Sequence, residues 1–246
     1  METESYVITG SSSFLGRALA NFYCQKGNKV ILTSRRICEV LNNYQSEEVL
    51  YLPSLNLVDD KDLNFFCNEV ERFFRTGSFH VINCVGYFPE YKLTEEITLE
   101  EAKKVLDSNV LAVFGVANKL IPLMCKRGGG HFIGFSMHTS YQNYPYMALF
   151  SAAKNALECL IKGISNEYLK HNIYANVISL STLLTENEKR IKPNGDYENW
   201  IKPEEVCELV HNLIKDSNGF VNGSIIHAYK FSESFFGEAY TRRISK

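Results

Sequence analysis

Apolar runs of strand length alternate with amphipathic stretches of helix length from one end of this chain to the other, and that rhythm leaves few folds open. Strands are expected at "YVIT" (6–9), "KVILT" (29–33), "VLYL" (49–52), "HVINCV" (80–85), "HFIGFS" (131–136), "YANVIS" (174–179) and "SIIHA" (224–228). Helices are expected between them, at about 14–26, 36–44, 60–75, 99–126, 149–169 and 203–215. Strand and helix in strict turn build βαβ units, so the pattern predicts an α/β fold with a doubly wound parallel sheet of about seven strands flanked by helices. Two helix starts are well marked. Thr98 followed by Glu101 makes a capping box, and Pro203 with Glu204 and Glu205 places proline and acids in a first turn. A length of 246 residues suits one large domain or two small ones, but no composition shift marks a boundary, so 1–246 is read as a single domain.

Charge and cysteine usage exclude several function classes. With 26 basic against 28 acidic residues, a net charge of -2 gives no footprint for nucleic acid or an anionic membrane, and neither is expected as a partner. The seven cysteines are scattered and never form a C-x-x-C pair, which argues against a disulfide framework or a zinc site. They are expected to serve as small buried hydrophobes. The acidic start "METESYVITG" has an apolar run too short for a signal segment or a membrane span, so a cytoplasmic protein is expected.

The turn after the first strand carries the first chemistry. "VITGSSSFLG" puts Gly10 and Gly16 between strand and helix, where exposed N–H groups and the helix dipole can hold a phosphate while small residues let the backbone come close. After the second strand, "TSRR" places Ser34, Arg35 and Arg36 where an NAD binder keeps an acid for the ribose 2′-hydroxyl. Arginine there can make bidentate, charge-assisted bonds to a 2′-phosphate, which points to NADP(H). A solvated basic helix start is the plain alternative.

Taken together, the ordered motifs resemble the short-chain dehydrogenase/reductase superfamily over nearly the whole chain, and so imply a Rossmann-like sheet. "TGSSSFLG" looks like the family's cofactor turn, which assigns Gly10, Ser12, Ser13, Leu15 and Gly16 to cofactor binding; Phe14 stands where many members have a further glycine. "INCVG" is similar to the family's N-N-A-G segment, with Asn83 and Gly86 retained and Val85 between them. "EEAKKVLDSNVLAVF" resembles the helix that carries an active-site asparagine, here Asn109, and "KPEEVCELVHNLI" followed by "FVNGSIIHA" looks like the family's last helix and last strand. By the same resemblance Ser34, Arg35, Asn56, Leu57, Asn83, Val85, Gly86, Leu183 and Thr185 meet cofactor, and Lys154 holds the nicotinamide ribose. Asn56 replaces an aspartate, and Leu180 with Ser181 replaces a Pro-Gly pair.

The family's chemistry needs a tyrosine that protonates substrate, a lysine four residues later, a serine and an asparagine. Lys154 and Asn109 match, but Phe150 occupies the tyrosine position and has no proton to give. Aligning the apolar Phe132, Ile133 and Phe135 puts Met137 on the serine and Ser136 one residue before it; a shift by one would place His131 and Gly134 on apolar positions. Strand alternation then points Ser136 to the opposite face. An engineered change would account for Phe150 and leave Met137 unexplained, so both are read as natural.

Two functions follow. The first is a non-catalytic NADP(H)-binding scaffold or sensor. The second is an NADPH-dependent oxidoreductase or isomerase with a displaced acid, for which Tyr146 is the best candidate among Tyr141, Tyr144, Tyr146 and His138. The polar stretch 186–202, in the place of the family's lid, argues against a large greasy substrate. The resemblance also implies a homodimer or homotetramer paired through helices 99–126 and 149–169. No metal site is expected.

Overall fold

The computed structural model describes residues 4–138, 144–217 and 219–230. Seven strands form one sheet: β1 (Ser5–Thr9), β2 (Lys29–Ser34), β3 (Val49–Pro53), β4 (His80–Asn83), β5 (Gly130–Met137), β6 (Ile173–Leu180) and β7 (Ile225–Ala228). All neighbours are parallel, in the order β3-β2-β1-β4-β5-β6-β7. Both faces are covered by helices, which is why the strands read as near-continuous apolar runs. On one face Val7, Val81, Phe132 and Val177 meet Phe66, Val116, Leu157 and Ile161; on the other Ile8, Leu32, Ile82 and Ile178 meet Leu19, Val206 and Val210.

The helices are α1 (Phe14–Gln25), α2 (Glu39–Asn42), α3 (Asp60–Phe73), α4 (Leu99–Leu106), α5 (Ala112–Lys126), α6 (Ala148–Glu167), α7 (Glu186–Ile191) and α8 (Pro203–Asp216). Both signalled helix starts form as expected: Thr98 and Glu101 cap each other reciprocally, and Glu205 accepts from the Lys202 N–H at 2.8 Å. The run Leu99–Lys126 is apolar enough to cross a membrane by length and composition, yet 61% of its most apolar window is buried inside the fold, the signature of a core helix.

Four local expectations need correction. The helix expected over 36–44 shrinks to α2, because Tyr51 Oη accepts from Cys38 N–H at 3.0 Å and Ser34 Oγ donates to the Arg36 carbonyl at 2.6 Å, which holds 34–38 in a turn. β4 stops at Asn83, since β1 ends at Thr9 and the last bond of that ladder is Cys84 N–H to Thr9 O at 3.0 Å. The helix expected over 99–126 forms over those bounds, but its regular hydrogen-bond ladder gives way to a π turn at Asp107–Leu111. Residues 186–202 hold α7 and a buried Trp200, whose ring fills the space above Gly195, so this segment is more structured than its polar composition implies. Cysteine burial is mixed: Cys207 is buried, five others are half-buried and Cys159 is exposed.

Candidate functional site

The sheet order reverses between β1 and β4, and the carboxyl ends of those strands open a crevice there, the position where α/β sheets bind ligands. A cavity of about 650 Å³ occupies it, lined by Gly10, Ser12, Ser13, Ser34, Arg35, Asn56, Leu57, Val85 and Gly86 among the residues expected from sequence. Glycine is required at two of these places. Gly10 has φ +66°, and a Cβ there would stand 2.7 Å from the Cys84 carbonyl carbon; a Cβ on Gly16 would stand 2.4 Å from Gly10 O. Ser13 caps α1 by accepting from Gly16 N–H at 3.0 Å, which aims the positive end of the helix dipole at the cavity. Leu15 and Gly16 sit behind the turn, buried, and support it without lining the cavity.

Around the cavity mouth the side chains divide into ligand-facing and supporting groups. The hydroxyl of Ser34 is held inside, on Arg36 O and Tyr51 Oη (2.8 Å), so it shapes the turn from which Arg35 and Arg36 reach the cavity. Asn56 is fixed by its own backbone, with Asp62 accepting from its N–H at 2.7 Å, and its side chain stays exposed. Leu57 is buried against α5, where Gly115 permits contact; a Cβ there would lie 2.7 Å from Leu57 O. Asn83 is 1% exposed and accepts from the Thr9 hydroxyl, which ties β4 to β1 just below the crevice.

Sequence reasoning missed the wall contributed by α4 and the π turn. Glu100, Lys103, Lys104, Asp107 and Ser108 all line the cavity, at the i, i+3, i+4 spacing of one helix face. That spacing was the available signal.

Lys154 and Asn109 come together at the inner end of the crevice. Asn109 lies in the π turn, where its Nδ2 donates to Val105 O at 2.9 Å, the acceptor four residues back that a regular helix gives to a backbone N–H, and to Tyr87 O at 2.8 Å. The π turn and the anchored β4–α4 loop thus share one side chain. Asn109 Oδ1 is buried with no partner among the described residues. A Cβ on Gly86 would stand 3.1 Å from that oxygen and 3.5 Å from Lys154 Nζ, so the hollow glycine leaves has an acceptor on one side and a donor on the other. A hydroxyl group suits both. Lys154 donates to Phe135 O at 3.0 Å, and burial holds its pKa down at about 8 against the pull of Glu158.

Neither Phe150 nor Met137, beside Lys154, carries an ionisable group. Phe150 packs edge-on against Phe88 (5.0 Å between centroids) in an apolar cluster with Val105, Met147 and Ala153, against which Met137 and Tyr91 also pack. Ser136 donates to the buried Glu158 on α6. Tyr146 lies two residues before α6 at φ +66°, outside the helix, and its carbonyl accepts from Lys92 N–H at 3.1 Å. His138 packs on Tyr144 with Nδ1 3.4 Å from Leu180 O, and burial pushes its pKa down to about 4. Thr185 caps α7 by accepting from Glu188 N–H at 3.0 Å, and Leu183 bridges to Ile201; neither lines the cavity. Tyr141 lies outside the described residues, as does the tail 231–246.

A parallel seven-stranded sheet with a glycine turn and a helix N-terminus at its switch point defines a dinucleotide-binding type of α/β protein. The family model described as short chain dehydrogenase matches residues 4–196. The chain belongs to that family and is oxidoreductase-like. An uncharacterized oxidoreductase of Staphylococcus saprophyticus is 25% identical over 222 residues, covering 85% of this chain and 89% of that protein. Gluconate 5-dehydrogenase from Burkholderia cenocepacia, solved with NADP and tartrate, shares the fold with a TM-score of 0.81 at 20% identity, over 93% of this chain and 94% of that one. A tyrosine-to-phenylalanine variant of ElxO, solved with NADPH bound, has a TM-score of 0.82 at 20% identity, over 92% of this chain and 97% of that one.

Proposed function

We propose that this protein binds NADP(H) and does not carry out the proton transfer of its relatives, acting as a nucleotide-responsive scaffold or sensor. The observation that carries the reading is the pairing of an equipped cofactor crevice with an apolar reaction site: Phe150 and Met137 share a cluster with Phe88 and Met147 beside Lys154. General acid catalysis supplies a factor of about 10² to 10⁴, and neither side chain can donate a proton. The residues fit the cofactor. Gly10 and the α1 N-terminus suit a diphosphate, Arg35 and Arg36 suit a 2′-phosphate in preference to a free ribose hydroxyl, and the hollow at Gly86 suits a ribose hydroxyl between Asn109 Oδ1 and Lys154 Nζ. When bound, NADPH supplies hydride; this chain's residues orient it. The ElxO variant supports the reading, because a protein of this fold that has lost a tyrosine still holds NADPH.

A second reading draws on Tyr146. A non-glycine residue at φ +66° is strained, and such strain collects at functional sites, so a reductase or isomerase with Tyr146 as displaced acid is the competing function. Nucleotide binding followed by fluorescence, then turnover against carbonyl and enoyl substrates, separates the two. Steady NADPH oxidation that disappears in Tyr146→Phe selects the second reading, and binding without turnover selects the first. Absence of NADPH binding at micromolar concentration removes both. The exposed apolar residues Leu99, Leu106, Leu111 and Phe114 along α4, the π turn and α5 support pairing into a homodimer or homotetramer, and the free cysteines suit a reducing cytoplasm.

A further inference from the structure

The cavity is electrostatically unlike the rest of the chain. Arg35 and Arg36 line it from the β2 side and Lys103 and Lys104 from α4, against Glu100 and Asp107, which leaves two positive charges in excess within a chain of net charge -2. Lys104 is placed by its neighbour: its Nζ stands 4.1 Å from the ring centroid of Tyr87, the residue after Gly86, so it stays at the cavity wall. We infer that Lys103 and Lys104 are recognition residues for the phosphates of the bound nucleotide, forming a cationic wall on α4 that faces the same cavity as the arginine turn.

The inference rests on the nucleotide-binding reading and adds residues to it. Lysine is a compact, mobile point charge, suited to drawing in an anion without fixing its geometry, whereas the arginine fork fixes a planar partner. A cleft with a net charge of one sign focuses the field and raises the arrival rate of an oppositely charged ligand, and here the excess is positive. A 2′-phosphate adds about 1.5 to 2 negative charges at neutral pH, so NADPH gains more from such a wall than NADH does.

The test is a charge series on the full chain: wild type, K103R/K104R, K103Q/K104Q and K103E/K104E, with NADPH and NADH dissociation constants measured by fluorescence at two salt concentrations. Both lysines are exposed, so the thermal midpoints of all four proteins should agree. The expected order of NADPH affinity follows charge. The arginine pair stays within about threefold of wild type, the glutamine pair loses about tenfold or more, which is about 1.4 kcal/mol per factor of ten, and the glutamate pair loses most. The loss is smaller for NADH, and the salt dependence weakens in the glutamine pair. Unchanged affinity in the glutamine pair, or a loss that arginine does not restore, overturns this inference alone. A wild-type chain that binds neither nucleotide overturns the nucleotide-binding reading and this inference with it.

Discussion

The side-chain amine of Lys154 lies 5.5 Å from the ring centroid of Phe150, one helical turn earlier, and donates to Phe135 O at 3.0 Å. A cation thus sits where it would lower the pKa of a hydroxyl at position 150, and no hydroxyl is there. The donor to the Phe135 carbonyl and the edge-on ring of Phe88 close the arrangement from both sides.

Introducing a hydroxyl at position 150 alone leaves Met137 and the aromatic packing in place. Phe150→Tyr should therefore give little NADPH oxidation, while the double variant with Met137→Ser should raise it by a factor of about 10² over wild type, within the range of a recovered general acid. Turnover with small carbonyl substrates at saturating NADPH measures this. A double variant that stays silent would mean that Phe88 and Tyr91 exclude the substrate as well.

Lys154 costs stability and, under the proposed nucleotide-binding reading, supports binding; one substitution separates the two. A buried amine whose pKa is held down at about 8 opposes its own charging, so Lys154→Met should raise the urea midpoint by the equivalent of about 1–2 kcal/mol even though Phe135 O loses a donor. NADPH affinity should fall about tenfold in the same variant. Movement of both quantities in one direction would argue for a purely structural lysine.

Two glycines of the crevice should respond differently to alanine. Gly10→Ala forces a side chain into φ +66° and onto backbone atoms of Cys84 and Val85 that cannot move aside, so a loss of about 3 kcal/mol or failure to fold is expected. Gly86→Ala meets only the ends of the Asn109 and Lys154 side chains, so stability should change by no more than about 1 kcal/mol. The hollow closes, however, and NADPH affinity should fall. Chemical denaturation and nucleotide titration of both variants check the contrast.

Stability should fall in mild acid through a row of rings at the amino ends of the strands. Tyr6, His80, His131 and Tyr174 stand side by side in register across β1, β4, β5 and β6, with centroids 5.2–5.5 Å apart. Burial pushes both histidines down to about 4, while Glu4, held by Lys215 and Tyr6, pulls weakly the other way. Groups whose folded pKa lies below the unfolded 6.5 bind fewer protons when folded. Their effect is absent above about pH 6.5 and grows as pH falls toward 4, reaching on the order of 2 kcal/mol for each histidine. His131→Phe keeps a ring in the row and should flatten the urea midpoint between pH 6.5 and 4.5; an unchanged slope would assign the acid sensitivity elsewhere.

The sequence by itself determined the sheet and most of the crevice. Strands buried on both faces must be apolar throughout, and a turn that brings backbone within 3 Å of backbone must use glycine, so β1 to β7, Gly10 and Gly16 were all legible. That positions 150 and 137 hold Phe and Met, neither of which can donate a proton, was legible too, because residue identity needs no structure. Tertiary structure decided what those places became. Only packing shows that Phe88, from a loop some sixty residues earlier, closes over Phe150, that Asn109 makes a π turn by taking the Val105 carbonyl, and that Ser34 supports its arginines from inside. It also brings Lys103 and Lys104 to the cavity that Arg35 lines, because the crossovers on either side of β1 run in opposite directions and fold α4 back beside the end of β2. Contacts between residues far apart in the chain depend on that path, and no local pattern of residues records it.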